Sequence, residues 1–478
     1  MAKLFLGFIK MPRESHSKSV RSSERRRFLQ QATFGLGSIA ITTPFRSLLA
    51  AAPDHRSSVG FGKLRPVTDS TTGLELLQLP EGFRYSTFGW TGDPMDDGNL
   101  TPGSHDGMAV IAETSPGRLV LCRNHELNGN GRSIAGDKLS FDANAPGGCT
   151  NLVFDSEEGR LIKSWCSLSG TANNCAGGPT PWGTWLSCEE TVLGPSDDYD
   201  GDRLNFQNQH GWIFEVPAEG IARPVPLKEM GRFVHEAVAI DPATGIVYET
   251  EDRQTAGFYR FTPNTPGKLI DGGKLQMMKL PKRKDVRSGV QVDQVFDVQW
   301  VDIDNPLQAH SPGEQDALGV FRQGKEKGGV TFARLEGCWA GRDGIYLVST
   351  NGGDAGVGQI WEYSPSKEQL RLLFESPSPQ VLEKPDNLTV SPRGGLVLCE
   401  DGDQLPQRLH GLTPDGSLFP FAANNIVLHG EKNGIQGDFR DQEWAGATFS
   451  PDGKWLFVNI QTPGVTFAIT GPWADELI

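Results

Sequence analysis

The chain has 478 residues, with 45 Lys or Arg against 59 Asp or Glu, a formal −14. Nine of the basic residues and two of the acidic ones fall within residues 1–52, so residues 53–478 carry 36 against 57, a formal −21. A surface this acidic repels nucleic acid and anionic membrane and suits hard cations that take carboxylate oxygens. No run of 18 apolar residues occurs, so no stable membrane insertion is expected. The seven cysteines are an odd number and form no Cys-x-x-Cys pair, which argues against a complete disulfide framework.

The first 52 residues read as an export signal. Glu24-Arg25-Arg26-Arg27-Phe28-Leu29 precedes a mildly apolar stretch, Ala32 to Phe45, and then Ala50, Ala51 and Ala52. A basic segment, a short apolar core and a small-residue exit make a signal peptide, and adjacent arginines before Phe-Leu resemble the twin-arginine motif. The expected partner is therefore the twin-arginine export machinery, and the expected location is periplasmic or secreted.

Residues 53–478 show no linker and read as one domain. The recurring unit is a strand, a tight turn and a second strand, seen six times. The first runs from His105-Asp106-Gly107 through Ser115-Pro116-Gly117 to Asn124-His125-Glu126. The second starts at Thr150-Asn151-Leu152 and turns at Glu158-Gly159. The third joins His235-Glu236-Ala237 to Glu249-Thr250-Glu251-Asp252 through Asp241-Pro242-Ala243-Thr244-Gly245. The fourth, fifth and sixth start at Leu335-Glu336-Gly337, Asp386-Asn387-Leu388 and Trp444-Ala445-Gly446, and turn at Arg342-Asp343-Gly344, Ser391-Pro392-Arg393-Gly394 and Ser450-Pro451-Asp452-Gly453. Pro-x-x-Gly or Asp-Gly between alternating apolar segments signals a hairpin. The last three starts lie about 51 and 58 residues apart, a spacing suited to propeller blades. The expected fold is all-β: a six-bladed β-propeller with inserted loops and short helices, a β-sandwich or barrel being the rival. Residues 253–330 are the most irregular stretch and hold the basic cluster Lys279 to Lys284.

Acidic and amide residues bracket these strands. Starts carry Asp106, Asn151, Glu236, Glu336 and Asp386; ends carry Glu126, Glu251, Asp252, Asn351 and Glu400. If starts converge on a propeller axis, that many carboxylates need multivalent cations, because like charges raise one another's pKa. Cys175, in a segment read as a loop, and Cys188, beside Glu189 and Glu190, offer a thiolate that suits iron or zinc better than calcium. Arg334, two residues before Glu336, would face the same way in a strand and could hold phosphate in its fork, or simply pair with Glu336.

Several segments together resemble the PhoX-type alkaline phosphatases. They include Arg123-Asn124-His125-Glu126, Gly147-Gly148-Cys149-Thr150-Asn151-Leu152, Asn174-Cys175-Ala176-Gly177-Gly178 and Cys188-Glu189-Glu190. Further along are Gly231-Arg232-Phe233-Val234-His235-Glu236, Ala333-Arg334-Leu335-Glu336-Gly337, Pro385-Asp386-Asn387-Leu388 and Cys399-Glu400-Asp401-Gly402. The resemblance implies a propeller with two Fe3+ and three Ca2+ at one end, which hydrolyses phosphate monoesters and in some members diesters. It implies Glu236 and Glu336 as ligands at the heart of the cluster, Arg334 as the phosphate-holding arginine, and Asn151 as its helper. Cys175 is the implied iron thiolate, with Cys188 the alternative. Calcium falls to some of Glu126, Glu189, Glu190, Glu251, Asp252, Asp386, Glu400 and Asp401. The expected partners are small phosphate esters, and the expected state is a monomer. The competing readings are a non-catalytic propeller that binds calcium alone, and another metal-dependent hydrolase on the same fold.

Overall fold

The computed structural model describes residues 59–478 apart from Glu476. The twin-arginine segment lies outside the described residues. No helix among them is long and apolar enough to cross a membrane.

The fold is a six-bladed β-propeller with inserted loops and short helices. The inner strands, in chain order, are His105–Ser115, Asn174–Pro179, His235–Ile240, Leu335–Ala340, Pro385–Val390 and Trp444–Phe449. Each is the innermost strand of an antiparallel sheet. Each packs on the next, and the sixth packs on the first. The turns follow the expected chemistry. In the third blade Asp241 accepts the Gly245 N–H (2.8 Å) on its carbonyl and the Ala243 N–H (3.0 Å) on its carboxylate.

The second hairpin of the sequence is not a blade of its own. Gly147–Asp155 and Arg160–Thr171 are the outer pair of the first blade. The second blade starts at Asn174, and Cys175, expected in a loop, is the second residue of its inner strand. The sequence there is Gly-rich and short, so it lacks the alternating apolar signal of a strand. It is a strand because neighbouring backbones approach it closely. A Cβ on Gly107 of the first inner strand would stand 2.6 Å from the Ala176 Cα.

The irregular stretch after residue 253 builds the outside of two blades. Gln299–Asp302 extends the third blade and Val295–Asp297 the fourth. The α-helix Gly319–Glu326 sits in the same insertion and buries Val320 and Phe321. The ring closes through the N-terminal part of the described chain. Leu77–Leu79 pairs with the outer strand of the fifth blade, and Arg84–Phe88 with Val465–Thr470 of the sixth.

Candidate metal centre

Every inner strand carries a β-bulge near its start. Pairing with the second strand breaks between His105 and Met108, Asn174 and Gly177, His235 and Val238, Leu335 and Cys338, Pro385 and Leu388, and Ala445 and Thr448. A bulge re-aims the side chain within it. In the first five blades the residue so placed is Asp106, Cys175, Glu236, Glu336 or Asp386. In the sixth the bulge is one residue later and holds Gly446 and Ala447.

A second repeated contact sets the loop after the second strand. The N–H of Glu126, Glu190, Asp252, Thr350, Asp401 and Gln461 each donates to the carbonyl of the residue before the inner strand: Ser104, Asn173, Val234, Arg334, Lys384 and Glu443. Four of those acceptors, Ser104, Asn173, Arg334 and Lys384, are non-glycine residues with φ between 44° and 52°. Such strain clusters at functional sites. It turns the chain so that both loop and strand start face the axis.

The result is a ring of acids at one end of the propeller. Ligand atoms within 4.8 Å of one another occur in four groups: Glu126, Cys175 and Glu190; Asp106, Glu126 and Glu443; Glu236, Glu336 and Asp386; and Asp386, Asp401 and Glu443. Shared members link the first, second, fourth and third groups in series. The Cys175 thiol donates to Glu236 Oε1 at 3.1 Å and faces Asp106 Oδ2 at 3.8 Å. Gln461 Nε2 donates to Glu126 (2.5 Å) and Asp106 (3.3 Å), and Asn173 Nδ2 donates to Glu190 (2.9 Å).

Burial pushes the carboxyls of Asp106, Glu236, Glu336 and Glu443 well above the usual range, and neighbouring acids push further. Asp386 rises to about 8, through burial first and Asp401 and Asp106 among the rest. Burial, then Asp106 and Glu236, raises the Cys175 thiol. Glu236 Oε2 is buried without a hydrogen-bond partner. Eight carboxylates and a thiol therefore share a space in which they cannot all ionise by themselves, a donor set that fits multivalent cations.

Arg334 lies at the edge of this ring, by a route the strand period does not describe. It precedes the inner strand, with φ of 44°. Its Nε and Nη2 hold Asp252 in a two-point pair (2.8 and 2.9 Å), and Nη2 also meets Glu336 Oε1. Asp252 is thus a partner of Arg334 and lies outside the four groups.

Several other expected site residues sit elsewhere. In the pairs Glu189-Glu190, Glu251-Asp252 and Glu400-Asp401, the first member ends the second strand and turns away from the axis. Glu189 accepts from Ala172 N, His210 Nδ1, Gly211 N and Trp212 N. Glu251 accepts from Gly257 N and the Tyr259 hydroxyl, and burial raises it to about 7. Glu400 is gripped by Arg408, with Glu383 N and His410 beside it. Cys188 packs among Leu186, Ile213 and Val238. Asn151 lies midway along the third strand of the first blade, and its amide donates to the carbonyls of Pro217 and Ala218 (2.9 and 3.2 Å), tying the first blade to the second. His125 is bonded to Gly103 O and Thr150 Oγ1 and His235 to Gly231 O, and neither belongs to the four groups. Asp106, read as a strand start but not as a ligand, joins the ring. So does Glu443, which the sequence reading missed; its one signal is an acid directly before the sixth start.

Comparison with known proteins agrees with this architecture. The family profile described as alkaline phosphatase PhoX matches residues 59–162 and 153–464. No curated protein sequence matches. Among solved structures, Pseudomonas fluorescens PhoX in complex with vanadate, described as a transition state analogue, superposes with a TM-score of 0.62 at 19% identity, over 86% of this chain and 98% of that one. A gluconolactonase from Xanthomonas campestris gives a TM-score of 0.38 at 12% identity, over 86% of this chain and 98% of that one. With the profile running from before the first blade into the sixth and the acid ring at their common end, the chain belongs to the alkaline phosphatase PhoX family.

Proposed function

We propose that this chain is a metal-dependent phosphatase that hydrolyses phosphate monoesters, with diesters as a second class, outside the cytoplasm. The observation that carries this reading is the ring of eight carboxylates and Cys175 with one guanidinium, Arg334, at its edge. Two ferric and three calcium ions are the proposed occupants. Cys175, Glu236, Glu336, Asp106 and Glu126 would hold them together with Glu190, Asp386, Asp401 and Glu443. Ions bound there supply positive charge to phosphate oxygens and lower the pKa of a coordinated water.

The chain's own groups bind and orient. Asp252 fixes Nε and Nη2 of Arg334, leaving Nη1 for a phosphate oxygen. A guanidinium held in place beforehand costs no reorganisation when charge develops. Gln461 and Asn173 hold Asp106, Glu126 and Glu190 in position. Thr350 donates its hydroxyl to Pro385 O (2.7 Å), and Thr250 donates to Glu336 O (2.6 Å), so each proton faces a backbone carbonyl and not a general base. A propeller that binds calcium for structure alone needs neither a thiol at the axis nor an arginine fork.

The test is hydrolysis of an aryl phosphate at neutral to alkaline pH by purified protein retaining its iron and supplied with calcium. Activity abolished by calcium chelation is expected, with iron found by elemental analysis and a visible absorption lost in Cys175→Ser. A metal-replete protein that cleaves neither monoester nor diester sinks the reading. Export is tested separately: Arg25→Lys with Arg26→Lys should leave a longer precursor in the cytoplasm, and normal export of that double variant overturns it.

A further inference from the structure

The basic cluster of the sequence has no part in the centre itself, but it stands beside it. A cavity of about 600 Å³ is lined by Arg283, Lys284, Asp285 and Arg287 together with Gln254, Ala333 and Asn351. Ala333 directly precedes Arg334, Gln254 is two residues past Asp252, and Asn351 follows Thr350, whose N–H donates to Arg334 O (2.9 Å). The cavity is therefore lined by chain neighbours of both Arg334 and Asp252.

Its basic wall is built. Arg283 donates from Nε to Asp285 O (2.6 Å) and from Nη2 to the carbonyls of Ser288 and Gly289 (2.6 and 3.1 Å), so the loop winds around its guanidinium. Arg287 holds the Asp285 carboxylate through Nε and Nη2 (3.1 and 2.7 Å). Buried Val286 donates its N–H to Thr331 O (3.0 Å), and Lys325 Nζ donates to Lys284 O (3.0 Å). Lys284 itself is exposed, and its ammonium has no partner among the described residues. Three cations thus line the cavity with one carboxylate, Asp285, in a domain whose formal charge is −21. Asn351 adds a buried carbonyl oxygen without a hydrogen-bond donor.

We infer that this cavity binds the alcohol part of the substrate, and that this part carries a second anionic group and a hydroxyl. The anion meets Lys284, Arg283 and Arg287, and the hydroxyl donates to Asn351. The inference rests on the phosphatase reading and narrows it to hydroxylated phosphate esters with a further carboxylate or phosphate. Arg283 and Arg287 also shape the loop, so Lys284 is the residue to vary.

The experiment compares glucose 6-phosphate, 6-phosphogluconate and fructose 1,6-bisphosphate with metal-loaded protein. Wild type should show kcat/KM about tenfold higher, mainly through KM, for an ester with a second anion, the ratio expected from roughly one well-placed charge pair. The advantage should shrink as salt screens it. Which of the two anionic esters gains more tells carboxylate from phosphate. Lys284→Glu should remove the advantage while glucose 6-phosphate loses less than about threefold, a change within RT-scale repacking. Calorimetry with 4-phosphonobutyrate and butylphosphonate, neither of which has an ester to cleave, should show the same preference and its loss in Lys284→Glu. Cleavage of glucose 6-phosphate with no preference in either measurement overturns the inference alone. A phosphonate preference without hydrolysis of any ester supports the cavity and overturns the phosphatase reading. Equal losses on all three esters in Lys284→Glu also overturn the cavity assignment.

Discussion

Glu189 and Glu190 differ by one position and face opposite ways, and their substitutions should separate stability from metal binding. Glu189 is fully buried and accepts three backbone N–H bonds and one from His210, whose imidazole is raised to about 9 by Glu189 and Asp142 against the cost of burial. Glu189→Gln should cost about 2–4 kcal/mol, the range for breaking buried charge-assisted bonds, and leave the metal content unchanged. Glu190→Gln should keep the melting temperature of the metal-free protein and lower the metal content by elemental analysis. The same reasoning separates Glu400 from Asp401. These pairs are where the sequence stops being legible: it places an acid at the strand end, but which of two acids faces the axis depends on a one-residue boundary. Arg334 was legible for a partly wrong reason, since its fork reaches Glu336 from a left-handed residue outside the strand. Arg334→Ala should lower kcat/KM for an aryl phosphate by about 100-fold, the scale of removing one positioned donor from developing charge. Arg334→Lys should restore little, because an ammonium cannot hold Asp252 at two points and still reach a phosphate oxygen. Full activity in Arg334→Ala would remove it from the site.

At the scale of the strand, the function lies in a bulge repeated six times, five of which present an acid or a thiol. Period-two alternation and Pro-x-x-Gly turns located the hairpins of the first, third, fourth, fifth and sixth blades, because those features are local. The second blade was misplaced because its inner strand, Asn174–Pro179, has almost no apolar side chain to display. Its identity comes from neighbours on both sides: a Cβ at Gly177 or Gly178 would run into the carbonyl of Leu186 or of Val238. Glu443 was missed because the sixth bulge is displaced by one residue and its acid precedes the strand. The close approach of inner strands is testable at Gly107, where a Cβ would stand 2.6 Å from Ala176 Cα and 2.9 Å from the Cys175 carbonyl oxygen, both backbone atoms. Gly107→Ala should destabilise by about 1–3 kcal/mol, the usual cost of overpacking, and should weaken metal binding by moving Cys175. Gly103→Ala is the control, because its Cβ would meet only the Thr91 side chain at 3.7 Å. Equal melting temperatures and equal metal content in the two variants would show that the strands can part without cost.

Over the whole molecule, the acid ring and the blade ring are one system. The four acid groups join the first blade to the second, the sixth to the first, the third and fourth to the fifth, and the fifth to the sixth. Cations bound there bridge blades that otherwise meet only through packed sheets, and ligands that bind the folded state alone stabilise it by mass action. Protons compete for the same oxygens, and this fixes the sign of the pH dependence. In the metal-free folded protein Asp386 holds its proton up to about 8 and Glu251 up to about 7, and Asp106, Glu236, Glu336 and Glu443 are also raised by burial. In the unfolded chain all of them release protons near pH 4, the ordinary carboxylate value. Four histidines lowered chiefly by burial, His105, His125, His235 and His310, act the other way below their ordinary value of about 6.5. The raised acids outnumber them, so between about pH 4 and pH 8 the folded state binds more protons than the unfolded one, and stability falls as pH rises, by about 1.4 kcal/mol per pH unit for each net proton. His210, raised to about 9, acts in the same direction above its ordinary value. Acids with lowered values, such as Glu400 and Asp142, lose their contribution only below about pH 4, outside this window. Metal-free protein should accordingly melt at a lower temperature at pH 8 than at pH 5. Metal-replete protein should show the reverse order, because ligands must be deprotonated to bind and cation affinity rises with pH. Thermal melts of chelated and reloaded protein across this range decide the matter. A metal-free protein that is more stable at pH 8 than at pH 5 would mean that the acids of the ring are ionised and neutralised by something other than cations.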